Sequence, residues 1–208
     1  MDTADIQITD NTIVSQVFGS YPFSTHFAGF GIQVQSAWGA PVSGVEVTIS
    51  NNLIKCDKLN YCGISVYGPS IYEEGAGKLG ECIVEDNDIR LGDGSVGVLI
   101  RKNDGTKVVG NTLSGKVYYG VHLWGSANRE GFDLGSNDNL IEDNDLSGLT
   151  IKSPDNYSDA HIDGRMFTGS EGMAKTAHYW LNKYSNRNKV QVIPNEIIID
   201  EGRENEKF

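Results

Sequence analysis

Cysteine, proline, positive charge and long apolar runs are all scarce in this chain of 208 residues. Three cysteines, Cys56, Cys62 and Cys82, are too few for a disulfide framework. Cys56 and Cys62 are close enough in sequence to close a small loop in an oxidising compartment, with two free thiols as the equal alternative. Their spacing matches no zinc pattern. No apolar run approaches the roughly 18 residues that a membrane-spanning helix needs, which excludes such a helix. Lys and Arg number 17 against 28 Asp and Glu, giving a net charge of −11 and a pI near 4.7. Phosphate binding needs a basic footprint, so nucleic acid is not an expected partner. The opening Met1-Asp2-Thr3-Ala4-Asp5 lacks the basic and then apolar run of a signal peptide. Prolines number only 5 but glycines 25, a balance that favours many tight turns over disorder. The length suits one domain with a core of its own.

What the chain does have is a repeat. Ile6-Gln7-Ile8-Thr9-Asp10-Asn11-Thr12-Ile13 reads apolar-x-apolar-x-x-Asn-x-apolar, and Val47 to Ile54 and Cys82 to Ile89 repeat it. Lys107 to Leu113 and Leu140 to Leu146 are looser copies. The repeated asparagines, Asn11, Asn52, Asn87, Asn111 and Asn144, lie 24 to 41 residues apart. Between them falls a second element, Gly-apolar-x-apolar: Gly31-Ile32-Gln33-Val34, Gly63-Ile64-Ser65-Val66, Gly97-Val98-Leu99-Ile100 and Gly120-Val121-His122-Leu123. Each alternation predicts a short strand with one face inward. No stretch before Gly172 has helical periodicity long enough for a helix. Short strands, a turn asparagine and variable loops, repeated, predict an all-β solenoid. Asparagine tolerates left-handed backbone angles, and its amide bonds turn backbone. Stacked at one corner, such amides can bond one another along the solenoid axis, a structural role.

These two elements resemble the parallel β-helix repeat of the pectate-lyase-like superfamily, over roughly residues 6–195. The resemblance implies a single right-handed parallel β-helix of about five to six coils over residues 1–208. It implies three strands per coil, with the asparagine between the second and third. The glycine strand would then be the first, whose sheet lines a substrate groove. The superfamily holds lyases, hydrolases, epimerases, tailspikes and non-catalytic surface proteins, so the fold alone fixes no activity.

On the glycine strands, the residues between and after the apolar pair point outward. One outward column reads Gln33, Ser65, Leu99, His122. The other reads Gln35, Tyr67, Arg101, Trp124. The later strand around His178 to Asn182 adds Trp180 and Asn182. Rings beside amide and cationic groups suit sugars, because ring faces pack on apolar sugar C–H surface. A guanidinium pairs bidentately with a carboxylate, so a uronate is a natural ligand for Arg101. Gln35, Tyr67, His122, Trp124 and Trp180 are therefore candidate substrate-binding residues. Solvent-facing strands favour Tyr and Trp anyway, which is the competing reading.

The rhythm breaks after Gly148, so residues 149–176 read as an inserted loop beside the groove. In it Asp159, His161 and Asp163 alternate and share one face if extended. A histidine flanked by carboxylates gains a raised pKa and can pass protons. Tyr157-Ser158-Asp159-Ala160-His161 resembles the Tyr-x-x-Asp-Pro-His motif of the mannuronan C5-epimerases, one residue short and with Ala160 for the proline. The resemblance implies Tyr157 as proton donor, His161 as base and Asp159 as its partner, with Arg101 neutralising the substrate carboxylate. The structural alternative has Asp159 and Asp163 bonding loop backbone and pairing Arg165. Pectate-lyase and polygalacturonase signatures are absent. Loop carboxylates Glu73, Glu74, Glu130 and Asp133 are candidates for Ca²⁺, though no EF-hand spacing is present.

Two functions remain open on this reading. One is a carbohydrate-active domain acting on an acidic polysaccharide by lyase or epimerase chemistry. The other is a non-catalytic glycan-binding or surface module. Ile6 already sits in a repeat with no capping helix before it. The chain is therefore expected to be the C-terminal part of a longer, secreted β-helix protein, extracellular or at the cell surface. Attachment to further N-terminal coils and assembly with other copies both stay open. Asn156-Tyr157-Ser158 is a glycosylation sequon, relevant only in a eukaryotic secretory host.

Overall fold

The computed structural model describes residues 5–15, 29–36, 45–57, 61–68, 79–127, 133–153 and 176–208. The chain forms strands β1 (Ile6–Thr9), β2 (Thr12–Ser15), β3 (Gly29–Gln35), β4 (Val47–Ser50), β5 (Leu53–Cys56) and β6 (Tyr61–Tyr67). It continues through β7 (Cys82–Glu85), β8 (Asp88–Leu91), β9 (Gly94–Arg101), β10 (Lys107–Val109), β11 (Thr112–Val117) and β12 (Tyr119–Trp124). After the small hairpin β13 (Ser126–Ala127) and β14 (Asp133–Leu134) come β15 (Leu140–Glu142), β16 (Asp145–Ile151) and β17 (Ala177–Leu181). The last strands are β18 (Lys189–Val190), β19 (Ile198–Asp200) and β20 (Glu206–Lys207). No helix occurs among the described residues, and none is long and apolar enough to cross a membrane.

Three parallel sheets result, and the chain visits them in turn. The first is β1-β4-β7-β10-β15-β18-β20, the second β2-β5-β8-β11-β16, and the third β3-β6-β9-β12-β17-β19. Successive strands stack in register, the arrangement of a β-solenoid. Inward side chains therefore form apolar columns. Ile8, Ile49, Val84, Val108, Ile141 and Val190 line the first sheet. Ile13, Ile54, Ile89 and Leu113 line the second. Ile32, Ile64, Val98, Val121 and Tyr179 line the third. Together they make one continuous core. Each fully buried aliphatic side chain contributes about 1.5–3 kcal/mol.

The asparagine ladder runs as expected. The backbone N–H and Nδ2 of Asn11 both donate to Oδ1 of Asn52, at 3.0 and 2.9 Å. Asn52 bonds Asn87 in the same way, Asn87 bonds Asn111, and Asn111 bonds Asn144. The second Nδ2 proton goes to a strand carbonyl, as from Asn87 to Ile49 O at 2.9 Å. One detail differs from the sequence reading. The left-handed backbone falls on the residue before each ladder asparagine: Asp10, Asn51, Asp86, Gly110 and Asp143. Short polar residues and glycine accept that region at least strain.

A second ladder lies at the corner leading into the first sheet. Thr106 N–H donates to Asn139 Oδ1, Asn139 donates twice to Asn188 Oδ1, and Asn188 twice to Asn205 Oδ1. Its left-handed positions are Gly105, Asp138, Arg187 and Glu204. The repeated Ser136-Asn137-Asp138-Asn139 and Ser185-Asn186-Arg187-Asn188 were its sequence signal. Through Asn205 the polar segment 201–208 joins the solenoid, with β20 pairing β18, and is not a loose tail.

The glycine of each Gly-apolar-x-apolar strand has a steric cause. A Cβ on Gly31 would lie 2.6 Å from Gly63 O, on Gly63 2.5 Å from Gly97 O, on Gly97 2.6 Å from Gly120 O, and on Gly120 2.6 Å from His178 O. The four glycines form a column in which each backbone approaches the next too closely for a side chain.

The first residues of the segment predicted as an insertion, 149–176, belong to a strand. Leu149 to Ile151 continue β16 and pair with Gly115 to Val117. The rhythm resumes with β17 at Ala177, and residues 154–175 lie outside the described residues.

Candidate functional site

The outer face of the third sheet carries the predicted columns in the predicted register. Gln33 neighbours Ser65, then Leu99, His122 and Trp180. Gln35 neighbours Tyr67, then Arg101 and Trp124. Trp180 thus joins the His122 column. Asn182 lies beside Trp124, its Oδ1 accepting from Gly125 N–H and its Nδ2 donating to Gly125 O.

Exposure departs from the expected open aromatic strip. His122 and Trp180 are each 1% exposed and Trp124 is 7%. With Cys62, Val96, Leu99, Tyr118 and Tyr119 these indoles form a second apolar cluster on the outside of the sheet. His122 stacks on Trp180 at 4.4 Å between centroids and 9° between planes. Tyr119 sits 5.0 Å from both rings. Trp180 Nε1 donates to Glu201 at 3.1 Å. Strand alternation put these rings outward, but rings of this area gain most when covered. His122, Trp124 and Trp180, expected on an open face, are instead packed against one another.

What stays accessible is the other end of the face. Gln33 and Gln35 are exposed, and Tyr67 and Arg101 are half-buried. The Arg101 guanidinium lies between two rings, 4.1 Å from the Tyr67 centroid and 4.4 Å from that of Trp124. Such contacts hold a cation in a fixed plane. Gln33 was visible in the sequence as an outward position but carried no special signal.

Burial and the nearby Arg101 charge push the His122 pKa down to about 3 from an ordinary 6.5. Below pH 6.5 the unfolded chain takes up a proton that the folded chain refuses, so stability falls as pH falls from 6.5 towards 3. Between pH 7 and pH 5 the loss from this residue is roughly 2 kcal/mol. The melting midpoint of the wild type is expected to fall relative to that of His122→Phe as pH drops through that interval, because Phe keeps the stack without the titration. Parallel curves would refute the assignment.

The remaining candidates divide simply. Tyr157, Asp159 and His161 lie outside the described residues, as do Asp163, Arg165 and the sequon at Asn156. Glu73, Glu74 and Glu130 do too, while Asp133 begins β14. Among the described residues no group of three His, Cys, Asp or Glu could hold a metal ion. The three cysteines form no disulfide and are buried. Cys56 belongs to the main core and Cys62 to the outer cluster, so a bridge between them is not formed. Burial raises the Cys62 pKa, and raises that of Cys82 to about 12 against the Asn103 hydrogen bond that lowers it. No known protein family, curated protein or solved structure matches this chain.

Proposed function

We propose that this chain is a glycan-binding module, built as a right-handed parallel β-helix of about five to six coils. In this reading it works outside a cell or on its surface, and the saccharide lies on the accessible end of the third sheet. The observation that supports it is the row Gln35–Tyr67–Arg101, in register on three adjacent strands with Gln33 beside it. Strands about 4.8 Å apart give this row the spacing to meet successive groups of one extended ligand. Carboxamides both donate to and accept from hydroxyls. The Tyr67 ring offers an apolar surface to sugar C–H groups.

Binding is favoured over turnover on this face. Removing the proton α to a uronate carboxylate needs a base tuned near neutral pH. The histidine of the outward columns, His122, is buried and stacked on Trp180, and the expected base His161 lies outside the described residues. Arg101, the expected charge neutraliser, is stacked between two rings.

The test is retention on pectate, alginate, hyaluronan, xylan and mannan, with and without Ca²⁺, while absorbance near 235 nm is followed for unsaturated uronates. At least one polymer is expected to be retained. Tyr67→Ala should weaken that retention about tenfold, with the β-sheet circular dichroism unchanged. Retention of no polymer refutes the proposal. New absorbance that His161→Ala abolishes would replace it with the lyase reading.

A further inference from the structure

We infer that the saccharide taken by this face is uncharged, an inference that rests on the glycan-binding reading above. Residues 1–54, which contribute Gln33 and Gln35, contain Asp2, Asp5, Asp10 and Glu46 but no Lys or Arg, and the first cation of the chain is Lys55. The exposed part of the site thus comes from a stretch with four acids and no Lys or Arg, in a chain with net charge −11. A polyanion approaching it meets repulsion at long range.

Short range leads to the same conclusion. The cation of this row, Arg101, is two strands from Gln35, roughly 10 Å at ordinary strand spacing. That exceeds the screening length of about 8 Å at physiological salt, so a carboxylate at Gln35 gains little from it. Both faces of the guanidinium already rest on rings. At Gln33 and Gln35 the groups on offer are carboxamides. An amide answers a hydroxyl with both its donor and its acceptor, whereas a carboxylate uses only the donor and repels the Oε1. A chain of repeating uronates would place a charge at each sugar, with no matching column of cations among the described residues of these strands.

The experiment compares retention of xylan and mannan with that of alginate and pectate, at about 0.05 M and 0.5 M NaCl. The expected result is that a neutral polymer is retained, with less than about twofold change across that salt range. Gln35→Ala should weaken its retention about fivefold. Gln35→Lys should raise retention of alginate or pectate at low salt at least about threefold over wild type. Preferential, salt-sensitive retention of a uronate polymer by the wild-type chain overturns the inference and leaves glycan binding standing. Retention of nothing overturns glycan binding itself.

Discussion

Replacing Gly63 by alanine should lower the melting midpoint by roughly 6–12 °C, corresponding to about 3 kcal/mol or more. The added Cβ would sit 2.5 Å from Gly97 O and 2.6 Å from Ile89 Cγ2. Neither atom can yield cheaply. The carbonyl belongs to a strand bonded on both sides, and Ile89 is fully buried in the core. Gly105→Ala is the informative comparison. Gly105 has φ of +68° but nothing within 4 Å of an added Cβ, so only backbone strain of about 1 kcal/mol is expected. Differential scanning calorimetry of the two variants separates close approach from backbone angle. Gly63→Ala melting within about 2 °C of wild type would refute the glycine column.

Asn87→Ala should destabilise the fold by roughly 3–5 kcal/mol. The Asn87 amide is buried and holds groups on three successive coils. Its Oδ1 accepts from the N–H and Nδ2 of Asn52, and its Nδ2 donates to Ile49 O and Asn111 Oδ1. Alanine removes these side-chain bonds from Asn52 and Ile49 in the dry corner of the solenoid, while Asn111 Oδ1 keeps only the backbone N–H of residue 87. Asn87→Asp keeps the acceptor, loses the donors and buries a charge, so it should be no milder. Asn11→Ala, at the exposed first rung, should cost less than about 1 kcal/mol. Denaturant melts of the three variants test this gradient, and equal losses at Asn11 and Asn87 would contradict it.

Much of the scaffold was readable because its rules are local. Alternation about Ile64 and Val66 sets which residues face inward. The asparagine spacing marks the corner, and outward columns such as Gln35–Tyr67–Arg101 follow from stacking the glycine strands in register. The second ladder was less readable. Asn139, Asn188 and Asn205 are 49 and then 17 residues apart, and they share flanking polar residues rather than a preceding apolar pattern. The left-handed positions were placed one residue late for a related reason. Asp, Asn and Gly precede the ladder residues, and all of these tolerate that backbone region.

The sequence by itself determined an all-β chain of stacked parallel strands. It also determined the asparagine corner, the glycine of four third-sheet strands, and which side chains leave the sheet on which face. Each of these depends on backbone geometry and on neighbours fixed by the repeat. Only the tertiary structure decided what those outward faces meet. It buried His122, Trp124 and Trp180 in a second cluster, stacked Arg101 between two rings, and left Gln33 and Gln35 in water. It also put Cys56 in the main core and Cys62 in the outer cluster, on two different sheets. Period-two alternation gives a direction, but whether a side chain pointing that way meets solvent depends on chain far away in sequence, and no local pattern records it.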